Sequence, residues 1–118
     1  MIKGIGIDVV EINRITKSIK RNPRLIQRIL TERERERYYS LSLTRRNEFA
    51  AGRFAVKEAT GKALGTGVGR IGFQHISVDT DELGKPVLIV KGWESYSFFV
   101  SISHSDHYAV ANVVVEEL

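Results

Sequence analysis

The sequence predicts an α+β fold, with helices gathered mainly in the first half and packed on a mostly antiparallel sheet. Three observations carry this. Apolar residues recur at helical spacing between residues 10 and 64. From residue 73 onward the chain breaks into runs rich in Val, Ile, Phe and Tyr, separated by turn residues. One more short apolar run, at residues 2–9, reads as a strand placed ahead of the helices.

In order, the first strand is I-K-G-I-G-I-D-V, ending in the carboxylate of Asp8. Residues 10–21 carry Ile12, Ile15 and Ile19 on one helical face, with Arg14, Lys17 and Arg21 largely off it. Asn22 and Pro23 stop that helix, and residues 24–30 make a short helical turn. Thr31 with Glu34 three residues on is a capping-box pattern. The run E-R-E-R-E-R-Y-Y-S behind it reads as a solvated helix face. Residues 44–64 give the strongest helix signal, with Phe49, Ala50, Phe54 and Ala59 approximating a stripe. Gly52 and Gly61 lower its propensity and point to close approach by another backbone or a ligand. Gly65 and Gly67 end it, and residues 65–72 read as a flexible connection. Residues 73–81 and 87–92 form a hairpin about E-L-G-K-P, and residues 95–105 and 108–118 are two further strands joined near Ser105 and Asp106.

The 118 residues fit one domain, 1–118. A chain of this length has little material for an enclosed site, so a shallow site, or one completed by a neighbouring subunit, is expected. The absence of cysteine excludes disulfides, thiolate nucleophiles and cysteine-ligated metals. No apolar run is long enough to cross a bilayer, and Asp8 interrupts the first apolar stretch, so the expectation is a soluble cytoplasmic protein with no membrane partner. The formal charge is +4, and the basic residues crowd between 14 and 53. Such a one-sided distribution calls for a polyanionic partner: nucleic acid, anionic lipid or an acidic protein.

Three residues stand out chemically. Asp8 closes a strand, and Glu58 sits among Ala55, Ala59 and Ala63 on a packed helix, where an acid needs a partner. The plain reading is a Glu58–Lys62 pair at i,i+4, worth a few tenths of a kcal/mol. The sharper reading groups Asp8, Glu58 and Lys62. Mg²⁺ takes one or two protein carboxylates and fills its other positions with substrate phosphates and water, while a lysine meets phosphate oxygens. Spacing alone does not bring Asp8 and Glu58 together. His104, at a strand end, is a ligand, a base or a plain hydrogen-bonding group; His75 and His107 have no pattern to promote them. The glycines of 65–72 are able to cradle a phosphate, but the Gly-Lys-Ser/Thr ending of a Walker A loop is missing.

The segments G-I-G-I-D-V-V-E-I-N-R-I at 4–15, F-A-V-K-E-A-T-G-K-A-L-G-T-G at 54–67, and S-I-S-H at 101–104 followed by Y-A-V-A resemble the signatures of holo-[acyl-carrier-protein] synthases, in order, spacing and total length. Asn112 stands where that family more often carries Gln. The resemblance implies the 4′-phosphopantetheinyl transferase fold and transfer of 4′-phosphopantetheine from coenzyme A to a serine of an acidic apo-acyl carrier protein, in fatty acid biosynthesis. It implies Mg²⁺ on Asp8 and Glu58, with Glu58 as the favoured base and Lys62 on the CoA phosphates. Arg53, Gly65, Thr66, Pro86 and His104 would lie along the CoA groove. Arg14, Arg21, Arg24 and Arg28 would meet the carrier protein, and the assembly would be a homotrimer with sites between subunits. The main rival from composition is a basic nucleic-acid-binding module, which leaves Asp8 and Glu58 without a purpose. A phosphatase or nucleotide hydrolase on the same metal site, and a purely structural protein, are the others.

Overall fold

A computed structural model describes residues 1–118. The chain runs β1 (Ile2–Glu11), α1 (Ile12–Arg21), α2 (Leu25–Ile29), α3 (Glu32–Ser40), α4 (Leu43–Leu64) and α5 (Val68–Ile71). A 3₁₀ turn (Phe73–His75) then leads into β2 (Ile76–Thr80), β3 (Pro86–Val90), β4 (Tyr96–His104) and β5 (Tyr108–Glu117). The strands form two antiparallel sheets, β1-β5-β4 and the hairpin β2-β3. The expected helix-then-strand order and antiparallel pairing are both found, with the strands divided between two sheets.

The long helix α4 is the centre of the molecule. Ala50, Ala51, Ala55, Val56 and Ala59 are buried on it, as are Ala109, Ala111, Val113 and Val115 on β5, a strand it packs against. A helix buried this far around its circumference belongs to a core and not to a surface, so a single apolar stripe understates it. Its contact with β1 is unusually close. A Cβ at Gly4 would overlap the carbonyl oxygen of Ala63, and one at Gly6 the carbonyl oxygen of Ala59. The absence of side chains at these two strand positions lets the helix backbone rest on the strand backbone. Gly61 plays the expected role on the helix itself, where an added Cβ would meet the backbone of Gly67 and Val68.

Several boundaries differ from expectation for local reasons. β1 continues to Glu11 because β5 is long enough to pair it: Val10 lies opposite Ala109 and Glu11 opposite Tyr108. Helix α1 therefore starts at Ile12, whose N–H donates to His107 O at 2.9 Å. Residues 65–72, expected as a bare connection, hold hydrogen-bonded structure. Gly65 caps α4 with φ 75°, Thr66 and Gly67 N–H donate back to Gly61 O, and α5 follows. Residues 73–75 tighten into the 3₁₀ turn before β2.

The largest correction concerns α3. Thr31 and Glu34 do form the capping box, but this helix is not solvated on every side. Glu34 is buried, and Lys57 Nζ of α4 donates to its Oε1 at 2.6 Å, with side-chain exposures of 0% and 1%. Lys57 also donates to Ile29 O (2.6 Å) and Phe73 O (3.1 Å), so all three ammonium protons are used. Glu34 accepts from Thr31 N–H (2.8 Å) and Val78 N–H (2.9 Å). One satisfied ion pair thus ties α2, α3, α4, the 3₁₀ turn and β2 together. Burial pulls the Lys57 ammonium below its usual range, and the Glu34 carboxylate opposes that pull.

The glycine contact is open to direct test by urea denaturation. Gly6→Ala should cost about 3 kcal/mol or more, because backbone must move to admit the methyl group. Gly69→Ala, whose Cβ meets nothing within 4 Å, should be neutral or stabilising by about 0.5 kcal/mol.

Candidate active site

Strand alternation turns Gly4, Gly6 and Asp8 toward α4 and turns Ile5, Ile7 and Val9 away from it. With no side chain at Gly6, the last turns of α4 come down beside Asp8. Lys62 Nζ donates to Asp8 Oδ1 at 3.0 Å and to Ile7 O at 2.9 Å. The lysine therefore pairs across elements with Asp8, in place of the i,i+4 pair with Glu58. Glu58, one turn earlier, lines the same cavity as Asp8. Its carboxyl is pushed above the usual range by burial first and by the like charge of Asp8 second, with Lys62 opposing. The three residues singled out from the sequence thus form one cluster.

The cavity measures about 460 Å³. Its apolar wall is Val10, Ile15, Leu25, Ile29, Phe54 and Phe73, and its charged rim adds Glu11, Arg14 and Arg28 to the carboxylates. Arg14 and Arg28, two of the four arginines assigned to a partner, thus flank the cluster. Arg21 and Arg24 lie exposed at the end of α1 and the start of α2, outside the cavity lining.

The carboxylates suit a hard cation bound jointly with a phosphate. Asp8 accepts from Lys62 on Oδ1 and keeps its other oxygen free. No third His, Cys, Asp or Glu joins them in a metal-ligating cluster. Two carboxylates and no more match what Mg²⁺ takes from a protein when substrate phosphates complete its shell.

The remaining predicted residues lie elsewhere. Arg53 and His104 share a second pocket with Arg37, Arg45 and Glu48. There Arg53 packs its guanidinium 4.2 Å from the Phe49 ring centroid, and its buried Nε has no hydrogen-bond partner. His104 Nδ1 lies 2.8 Å from Glu48 Oε2. Gly65 and Thr66 cap the C-terminal end of α4, and Pro86 opens β3. Within one chain Arg53 and His104 line a pocket distinct from the one that holds Asp8 and Glu58. Arg53 and Lys62 are nine residues apart on α4, which sets them roughly 180° apart around the helix. Arg37 and Arg45 gave no distinguishing signal in the sequence, being two arginines among many.

The family model of the 4′-phosphopantetheinyl transferase superfamily matches residues 4–113, and the chain belongs to that superfamily. Holo-[acyl-carrier-protein] synthases from Oceanobacillus iheyensis and Bacillus subtilis are 50% and 49% identical to it, over 98% and 100% of this chain and 98% of each relative. Among solved structures, a holo-(acyl-carrier-protein) synthase from Bacillus anthracis in complex with CoA (3′,5′-ADP) superposes with a TM-score of 0.92 at 47% identity, covering 100% of this chain and 99% of that one. The Helicobacter pylori enzyme in complex with coenzyme A gives 0.84 at 33% identity, covering 95% and 99%. Within the superfamily the chain is thus a member of the holo-[acyl-carrier-protein] synthase family.

The raised Glu58 carboxyl has a consequence for stability. An acid whose folded value lies above its unfolded one contributes stability below the unfolded value and loses it as pH rises through the folded one. Metal-free Glu58→Gln should therefore be more stable than the parent at pH 7. The gain should shrink toward zero below about pH 4, where the unfolded carboxyl is protonated. Urea midpoints at the two pH values test this, and an equal gain at both would exclude charge as the cause.

Proposed function

We propose that this chain transfers 4′-phosphopantetheine from coenzyme A to a serine of apo-acyl carrier protein, with release of 3′,5′-ADP. The observation that carries the reading is the meeting of Asp8 and Glu58 on one cavity rimmed by Arg14 and Arg28, with Lys62 paired to Asp8 at 3.0 Å. That set suits a diphosphate donor, and its basic rim suits an acidic protein acceptor. Relatives solved with coenzyme A or its 3′,5′-ADP portion support the choice of donor.

In this reading the serine oxygen forms a bond to the β-phosphorus of coenzyme A. The bond from that phosphorus to the bridging oxygen breaks, and 3′,5′-ADP leaves with the electron pair. Asp8 and Glu58 would hold Mg²⁺, which supplies charge to orient the diphosphate and offset what builds on it. Glu58 is the group that would take the serine proton as general base. Lys62 carries the positive charge for the phosphates. Arg14, Arg21, Arg24 and Arg28 face the carrier protein, where complementary charge speeds encounter and sets register. No helix is long and apolar enough to cross a membrane, which is compatible with the expected cytoplasmic location and a role in fatty acid biosynthesis.

The separation of the two charged pockets supports an assembly with sites between copies. Arg53 and His104 serve the same coenzyme A only if they come from a neighbouring copy. The three-stranded sheet offers a surface for that copy. Its face away from α4 exposes Ile5 (64%), Ile7 (56%), Val9 (60%) and Phe99 (52%), an apolar patch of the kind that marks an interface. A homotrimer built on this face places each Asp8–Glu58 pair beside a neighbour's Arg53. Gly65, Thr66 and Pro86 complete the walls.

Mass spectrometry of apo-carrier protein incubated with this chain, coenzyme A and Mg²⁺ should show the gain of one phosphopantetheine group, and none with EDTA. Glu58→Gln and Asp8→Asn should lower turnover about 10²- to 10⁴-fold. Unmodified carrier protein in the complete mixture would overturn the reading. Arg53→Met and Glu58→Gln chains, each nearly inactive alone, should regain activity when assembled together, to roughly a quarter of the parent level from random pairing of neighbours. No recovery in mixed trimers would exclude sites shared between copies.

A further inference from the structure

Helix α2 has five residues, far short of the length at which a helix holds itself in water. It nevertheless presents Leu25, Arg28 and Ile29 to the cavity that contains Asp8 and Glu58. What holds it is a set of side chains reaching its C-terminal carbonyls from three other elements. Gln74 Nε2, in the 3₁₀ turn, lies 2.7 Å from Gln27 O, 3.2 Å from Arg28 O and 2.9 Å from Leu30 O. Lys57 of α4 takes Ile29 O. Arg35 Nη1 of α3 takes Leu30 O at 2.7 Å and approaches Gln27 O at 3.4 Å. Every carbonyl from Gln27 to Leu30 is therefore fastened from behind, while the opposite side of α2 faces the cavity. Lys57 precedes Glu58 in the chain, so the tether joins the docking side of the cavity to the helix that carries a reacting carboxylate.

Resting on the transferase reading above, we propose that Gln74, with Lys57 behind it, is a positioning residue for carrier-protein recognition: it fixes α2 so that Leu25 and Arg28 are in place before the partner arrives. Gln74 touches no substrate in this role. A surface arginine on an unfastened five-residue helix would have to be ordered during binding, and that cost would appear in the affinity for the carrier protein. Coenzyme A, held by other residues, would be unaffected. Lys57 is fully buried and its loss threatens the fold, whereas Gln74 lies at the surface and its replacement does not.

The test compares the parent with Gln74→Glu, which keeps the size but removes both N–H donors and sets an anion against three carbonyls, and with Gln74→Lys, which restores donors. Gln74→Glu should raise KM for apo-carrier protein about five- to tenfold. Its KM for coenzyme A should be unchanged and its kcat within about twofold. Hydrogen exchange at the Gln27, Arg28 and Leu30 amides should quicken with no substrate present. Gln74→Lys should recover most of both effects. Faster exchange with unaltered KM for the carrier protein would overturn the inference, as would a KM that rises equally for both substrates. A parent enzyme that modifies no carrier protein would overturn the transferase reading and this inference with it; an active parent with an indistinguishable Gln74→Glu would overturn the inference alone.

Discussion

The contact between the backbones of β1 and α4 governs the rest of the molecule. Two strand glycines, Gly4 and Gly6, let the carbonyls of Ala63 and Ala59 settle where side chains would otherwise stand. The helix is thereby drawn close to the strand along its last two turns. Asp8 is the next residue on that face of β1, and it meets Lys62 directly and Glu58 across the cavity. The spacing of the charged cluster is thus set by main chain against main chain. Rotamer freedom of intervening residues plays no part in it. Small residues continue the pattern on the neighbouring strand, where Ala109 and Ala111 of β5, paired with Val10 and Asp8 of β1, are buried beneath α4.

The second organising device is electrostatic. Burying a lysine and a glutamate costs several kcal/mol in desolvation, and such a pair persists when each remaining hydrogen-bonding position is filled. Here it is: Lys57 has three acceptors, and Glu34 has two backbone donors beside the lysine. The pair contributes orientation more than net stability, since it admits one arrangement of five elements where an apolar core would admit several. The surface ion pair Arg33–Asp79, with exposed partners, has no comparable effect.

The sequence made much of this legible, and the gaps have physical causes. The capping box at Thr31, the hairpin about Gly84 and the end of α4 at Gly65 were readable because each depends on a few neighbouring residues. So was the membership of Asp8, Glu58 and Lys62 in a chemical set, once the motifs around them resembled a family. Their geometry was not, because whether Lys62 pairs with Glu58 along the helix or with Asp8 across it depends on how closely a strand approaches. Glu34 was legible as the capping-box partner of Thr31, but not as a buried charge, since it stands in a run of alternating charges with Glu32 and Glu36. The lysine that pairs with it lies twenty-three residues away. Gln74 was invisible for the same reason: the carbonyls it holds are more than forty residues earlier in the chain. Gly4 and Gly6 were noticed as letters of a motif, while their work as a seat for a helix emerges only in three dimensions.

The glycine seat also bears on how this chain is able to vary. A glycine codon changed at a single base yields alanine, serine, valine, aspartate, glutamate, arginine, cysteine, tryptophan or a stop, unless the change is silent. Each of these amino acids carries a Cβ. At Gly4 and Gly6 every expressed one-step change therefore drives an atom into a carbonyl of α4. The genetic code offers no mild neighbour at either position. Drift along this strand is confined to its other face, where Ile5, Ile7 and Val9 have many apolar substitutes within one base. A segment that never contacts substrate through its glycines would thus persist through long descent as faithfully as the aspartate that follows it.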